Sequence, residues 1–197
     1  MMEKVLLTGF GPFGPHAQNA SGDAVRRLDG AAYEGFQVRG LVLPVQFERA
    51  VALLEEAIES EQPAAVICCG IHSDSPAEGF RLEVAAKNER HYGLPDVDGH
   101  LVHDACVVEG GPAMVFSSLP VGEIKRGIEA AGLPAQLSED AGRFLCNAIF
   151  YWVASRVQPA GFLHVPTGPL PDVARAIEIA VEVTARRLSA QRVEATA

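Results

Sequence analysis

Cys146, His164 and Glu83 are the residues of this sequence whose types could together perform nucleophilic catalysis. Cys146 follows the turn-like Asp140-Ala141-Gly142 and opens an apolar pattern running through Trp152, which predicts a helix beginning around Arg143–Leu145. In a first helical turn, the macrodipole and the unpaired backbone N–H groups stabilise thiolate over thiol. The same N–H groups can bind a developing oxyanion. The plainer alternative is a buried helical cysteine, a common fate of free thiols. His164 lies in Gly161-Phe162-Leu163-His164-Val165-Pro166, near the C-terminal end of an expected buried strand, the edge where open α/β sheets place ligands. A histidine there could accept the thiol proton and deliver it to a leaving amine; a satisfied core histidine fits equally well. Glu83, flanked by apolar residues in the stretch 80–88, could orient the imidazole and offset its charge. A solvated surface glutamate is the simpler reading.

Other motifs carry less. Gly9-Phe10-Gly11-Pro12-Phe13-Gly14 has the spacing of a dinucleotide fingerprint directly after a strand. Pro12 removes a donor from that turn and Pro15 prevents a helix from opening there, so the two phenylalanines read as an apolar lip instead. His100, His103 and Asp104 lie in a polar loop without third and fourth metal ligands at a fitting distance. Cys68 and Cys69 read as buried strand residues facing opposite ways, and Cys106 as a small core residue.

The elements that must position these side chains alternate between strand and helix periods, the pattern of an α/β layer fold. Val5–Thr8, Gln37–Leu43 and Ala64–Cys69 read as the first three strands, the last ended by Gly70. Between the second and third, Phe47, Ala50, Val51, Leu54, Ala57 and Ile58 form one face of a helix. A short helix with Ile124 and Ile128 closes at Gly132, a strand follows near Ala135–Leu137, and another spans Ala160–Val165. A helix over 171–190 begins with Pro171 and Asp172, suited to a first turn. The stretch 72–112, rich in Gly, Asp, His and Pro, fits the alternation badly and reads as a loop-rich insertion with one hairpin. The expected whole is one domain over 1–197.

Composition narrows the function. The 197 residues, 48% hydrophobic and 21% charged, suit a self-sufficient globular core. Sixteen basic against 25 acidic residues give a net charge of −9, which repels phosphate backbones and anionic lipid. Nucleic acid and membrane are therefore not expected partners. The longest nearly apolar run, Ala64–Ile71, is far shorter than the roughly 20 residues of a spanning helix. The N-terminal apolar core is too short for a signal peptide, so a cytoplasmic location is expected. In that reducing compartment the four cysteines are not expected to form a disulfide framework.

Five motifs in order resemble the pyroglutamyl peptidase I family of cytosolic cysteine exopeptidases, nearly end to end. They are Leu6–Gly14 with Asn19-Ala20-Ser21, Glu83 with Asn88, Gly110-Gly111-Pro112, Ser138–Asn147 and Phe162–Pro166. The resemblance implies an α/β/α sandwich around a twisted, mostly parallel sheet and a Glu83, Cys146, His164 triad. It implies release of an N-terminal pyroglutamyl residue through a thioester, with no metal or organic cofactor. Residues matching Phe10, Phe13, Asn19, Phe144 and Leu145 line the pyrrolidone pocket in the family, and position 71 lies beside it. The chemistry agrees: a neutral lactam needs apolar faces and a few neutral hydrogen-bonding groups, rather than the carboxylates that hold a charged amine.

Three positions depart from the bacterial pattern: Val84 replaces a basic residue, Ile71 a glutamine and Gly93 an arginine. They bear on the oxyanion donors and on whether residue 71 meets the lactam through its side chain or its backbone. The competing readings are a related cysteine amidase or lactam hydrolase with another substrate, and a non-catalytic small-molecule-binding relative. The expected partner is a peptide beginning with pyroglutamate; a homo-oligomer is left open.

Overall fold

In the computed structural model, residues 2–13, 18–73, 76–93 and 95–196 are described. The chain runs β1 (Glu3–Phe10), α1 (Ala20–Leu28), β2 (Ala32–Tyr33), β3 (Phe36–Leu43), α2 (Phe47–Glu61) and β4 (Ala65–Ser73). After a single 3-10 turn at Pro76–Glu78 come β5 (Phe80–Glu83), β6 (Ala85–Lys87) and β7 (Met114–Phe116). Then follow α3 (Val121–Ala130), β8 (Ala135–Ser138), α4 (Leu145–Ala154), β9 (Ala160–Pro166) and α5 (Leu170–Thr196).

Seven strands form one sheet in the order β2-β3-β1-β4-β9-β5-β8. The pairs β1–β3, β1–β4, β4–β9 and β5–β8 are parallel, whereas β5 runs antiparallel to β9 and β2 to β3. Strands β1, β4 and β9 are apolar almost throughout because both faces are covered, as parallel sheets require. On one face α1, α3 and α5 pack through Val25, Ile124, Ile128, Ile177 and Val181. On the other, α2 and α4 pack through Phe47, Leu54, Ile149 and Phe150. The result is the expected α/β/α sandwich. Cys68 and Cys69 are buried on opposite faces of β4.

The structure corrects several sequence expectations. β4 continues through Gly70 to Ser73 rather than stopping at Gly70. The stretch 72–112 is not one insertion: β5, within it, is a strand of the main sheet, and only the part beyond it leaves the alternation. There, β6 and β7 make a separate antiparallel pair and Arg90 bridges Ala105. Cys106 is exposed, not a core residue. The helix α1 was not foreseen; its signals are the Asn19 cap, Asp23 in the first turn and Arg26-Arg27 in the last.

Gly9 serves packing. A Cβ on Gly9 would lie 2.6 Å from the Ser21 carbonyl group, so Gly9 lets the backbone of α1 rest directly on β1. Gly14 lies outside the described residues. No helix among those described is long and apolar enough to cross a membrane, and no cluster of His, Cys, Asp and Glu among them could hold a metal ion.

Candidate active site

The order β3-β1-β4 reverses the direction in which the sheet is built outward from β1, so a crevice opens at the carboxyl ends of β1 and β4. Phe10 ends β1 there, and Gly70 lies near the end of β4, paired in register with His164 of β9. On the far side of β9, the antiparallel β5 pairs Arg81 with His164 and Glu83 with Phe162. Glu83 is thus the diagonal neighbour of His164 on the same sheet face, within reach of a long side chain. Their contact is a 2.8 Å hydrogen bond, with His164 Nδ1–H donating to Glu83 Oε1, and both side chains are buried. Glu83 is therefore not a surface residue, and its other oxygen is buried without a hydrogen-bond partner.

The sulfur comes from the opposite direction. Helix α4 starts at Leu145, with Phe144 in extended conformation at its N-cap and no side chain capping it. Cys146 therefore lies in the first turn, where N–H groups have no intrahelical acceptor. Its thiol hydrogen-bonds the His164 imidazole. A Cβ on Gly70 would lie 2.7 Å from Cys146 Sγ, 2.9 Å from Phe162 Cζ and 3.3 Å from Phe10 Cε2. Gly70 is there because the sulfur occupies the space a side chain would take. Sequence reasoning treated it as a strand breaker, although a lone glycine in a strand also signals close approach.

Burial works against a charged His164 ring, but the Cys146 charge and hydrogen bond and then Glu83 outweigh it, raising the pKa from 6.5 to about 9. The imidazole is accordingly a cation at neutral pH. In contrast, burial pushes the Cys68 thiol up to about 12 and pushes Cys69 well above its usual range. Neither can stand in for Cys146 as a nucleophile.

Beside the sulfur lies an aromatic slot. Phe144 stacks at a tilt on Phe13, with centroids 5.5 Å apart, and edge-on against Tyr92 at 4.9 Å. Tyr92 is an addition to the expected lining. Phe10 is buried at the base and Leu145 in the core beneath α4. Asn19 acts differently from a free lactam ligand. Its Oδ1 accepts from Ser21 N and Ser21 Oγ, capping α1, and its Nδ2 donates to Gly11 O at 3.1 Å. Ile71 packs its side chain into the opposite core layer, so only its backbone is on offer to the crevice.

Two asparagines fasten the irregular segment, Asn147 to α4 and Asn88 to itself. Asn147, wholly buried, accepts from Lys87 N at 2.8 Å and donates to Lys87 O and Glu89 O at 2.9 Å. Asn88 accepts from Val107 N and Val108 N and donates to Val108 O and Gly111 O. Both use their donor and acceptor sides, so the wall beside the slot is fixed by satisfied polar groups.

Known proteins resemble this chain in sequence and in fold. A family profile described as pyroglutamyl peptidase matches residues 3–190. A pyrrolidone-carboxylate peptidase of Chromobacterium violaceum is 36% identical over 200 residues, covering 94% of each chain. One from Bacillus amyloliquefaciens is 37% identical over 179 residues, covering 86% of this chain and 80% of that one. The crystal structure of Bacillus amyloliquefaciens pyroglutamyl peptidase I superposes with a TM-score of 0.87 at 33% identity, covering 93% and 97% of the two chains. A pyrrolidone carboxyl peptidase from Pyrococcus furiosus gives 0.88 at 30% identity, covering 94% and 99%. With relatives this similar along nearly its whole length, and with a thiol, an imidazole and a carboxylate gathered at one sheet edge, the chain belongs to the pyroglutamyl peptidase family of cysteine-type hydrolases.

Proposed function

We propose that this chain hydrolyses the amide bond after an N-terminal pyroglutamyl residue of peptides, with Cys146 as nucleophile, His164 as general acid and base, and Glu83 orienting His164. The observation that carries the reading is the line from the buried Glu83 and His164 to the partly exposed Cys146 beside an aromatic slot. The slot suits a flat, uncharged lactam ring, because burying it costs no charge desolvation. Asn19 shapes the slot by tying Gly11 to α1, and residue 71 meets the lactam through its backbone.

In acylation, Cys146 Sγ attacks the pyroglutamyl carbonyl carbon, and first-turn N–H groups of α4 receive the oxyanion. His164 gives its Nε2 proton to the departing amine as the C–N bond breaks, leaving a thioester and a neutral imidazole. The thioester carries no sulfur anion, so the chief influence that raised the imidazole's pKa is gone while its burial persists. His164 then accepts a proton from water, hydroxide adds to the thioester, and the C–S bond breaks to restore the ion pair. The same environment thus serves both half-reactions.

Two measurements test this reading. Compared on pyroglutamyl-, prolyl- and alanyl-anilides, the enzyme is expected to cleave the first in strong preference; preferred cleavage of either other compound overturns the substrate assignment. For the charge argument, Cys146→Ser removes the thiol that favours the imidazolium, so the His164 ring is expected to titrate at lower pH in the variant than in wild type by NMR. An unchanged titration would transfer the effect to Glu83. The reading includes work in the cytoplasm, where Cys68, Cys69, Cys106 and Cys146, all free, stay reduced.

A further inference from the structure

We propose that His72 is a positioning residue for the catalytic imidazole: a second histidine that a β-bulge aims at His164 so that the ring is held between it and Phe162. The inference rests on the reading of His164 as the general acid and base.

The register supplies the first observation. Ile71 pairs with Val165 and Ser73 with Pro166, so β4 spends two steps where β9 spends one, and His72 is the extra residue. Bulges recur beside active sites because they redirect a side chain. Here the His72 ring meets the His164 ring edge to face, with centroids 5.8 Å apart and planes at 71°. Phe162 lies 4.7 Å from the same ring at 59°. With Glu83 on Nδ1, these two contacts leave the imidazole little freedom to turn away from the sulfur.

The second observation is how His72 is held. Its side chain is 5% exposed. Nε2–H donates to Gly79 O at 2.9 Å, which fixes the tautomer and leaves Nδ1 a bare lone pair, buried and without a hydrogen-bond partner. The accepting carbonyl cannot drift. A Cβ on Gly79 would lie 2.5 Å from Pro134 O, Gly79 has φ +70, and Phe80 N donates to the same Pro134 oxygen at 2.8 Å.

Three charged or titratable groups among the described residues face His72 from the elements around it: Glu78 from the 3-10 turn, Arg81 from β5 and His164 from β9. Burial first, then Arg81 and His164, disfavour its protonation; the Gly79 hydrogen bond and Glu78 favour it, and the net direction is below 6.5. The ring is therefore neutral at neutral pH and charges only in acid. A proton on Nδ1 would then draw it toward Glu78 Oε2, 3.7 Å away, and set a like charge beside the imidazolium. A fall of kcat in acid is expected as that proton is added.

The test compares wild type, His72→Ala and His72→Phe on a pyroglutamyl anilide, with thermal melts to confirm folding. His72→Ala removes the packing and is expected to lower kcat about tenfold or more at unchanged KM, as for a misplaced catalytic group. His72→Phe keeps an aromatic edge that cannot titrate, so kcat at pH 7 should stay within about threefold of wild type and the acid limb should move down to the one His164 alone imposes. A kcat unchanged in His72→Ala, or an acid limb in His72→Phe that superimposes on wild type, overturns the proposal. A substrate-free arm measures iodoacetamide labelling of Cys146 against Cys106; His72→Ala should slow the first alone, and equal rates overturn the proposal. An inactive wild type with a reactive Cys146 would fault the substrate assignment instead, leaving this arm to decide on His72.

Discussion

Cys146→Ala is expected to reduce turnover of a pyroglutamyl anilide by about 10⁵-fold or more, the scale seen when the nucleophile of a catalytic triad is removed. The loss should come without unfolding. Cys146 is only partly buried, and alanine is a stronger helix former, so the variant should melt within a few degrees of wild type. No other thiol can substitute: burial holds Cys68 and Cys69 protonated, and Cys106 is exposed in the segment beyond β5. Residual activity within about a hundredfold of wild type would mean that the sulfur is not the nucleophile.

Gly70→Ala is expected to be nearly as damaging to function although it adds only one methyl group. An alanine Cβ at 2.7 Å from Cys146 Sγ and 2.9 Å from Phe162 Cζ must push something aside by close to an ångström. Phe162 is buried in the core, so the sulfur is the group that yields. A displacement of that size at a reacting atom costs on the order of 10²-fold in kcat/KM. The overpacking should also destabilise the fold by about 1–3 kcal/mol. Gly122→Ala on α3, whose Cβ would meet nothing closer than Arg126 at 3.7 Å, is the matching control and should keep full activity. Wild-type kcat/KM in Gly70→Ala would refute the placement of the thiol over β4.

What the sequence disclosed follows the strength of its periodicities. The strands β1, β3, β4 and β9 and the helices α2, α4 and α5 carry long apolar runs or stripes and were legible within a few residues. Helix α1 was not, because Gly22 and Asp23 dilute its pattern and only Ala24, Val25 and Leu28 among its larger apolar residues are buried. The cap role of Asn19, whose amide oxygen accepts from Ser21 N, was hidden with that helix. β5 is four residues long, and nothing local in Phe80-Arg81-Leu82-Glu83 announces that it enters the main sheet antiparallel to β9. For the site, residue types and their order pointed to Glu83, Cys146 and His164. His72 and Gly70 became visible only through distances, since a bulge and an occupied void are properties of packing rather than of pattern.

Carboxylate, imidazole and sulfur stand over β5, β9 and β4, three consecutive rungs of one hydrogen-bonded ladder. The spacing of carboxylate and imidazole is therefore copied from the repeat between neighbouring strands, roughly 4.8 Å, and the sulfur is set above them by the packing of α4 on the sheet. The catalyst borrows its ruler from the backbone. Surface connections on this scaffold are accordingly free to lengthen, shorten or drift over evolutionary time while the chemical core keeps its dimensions.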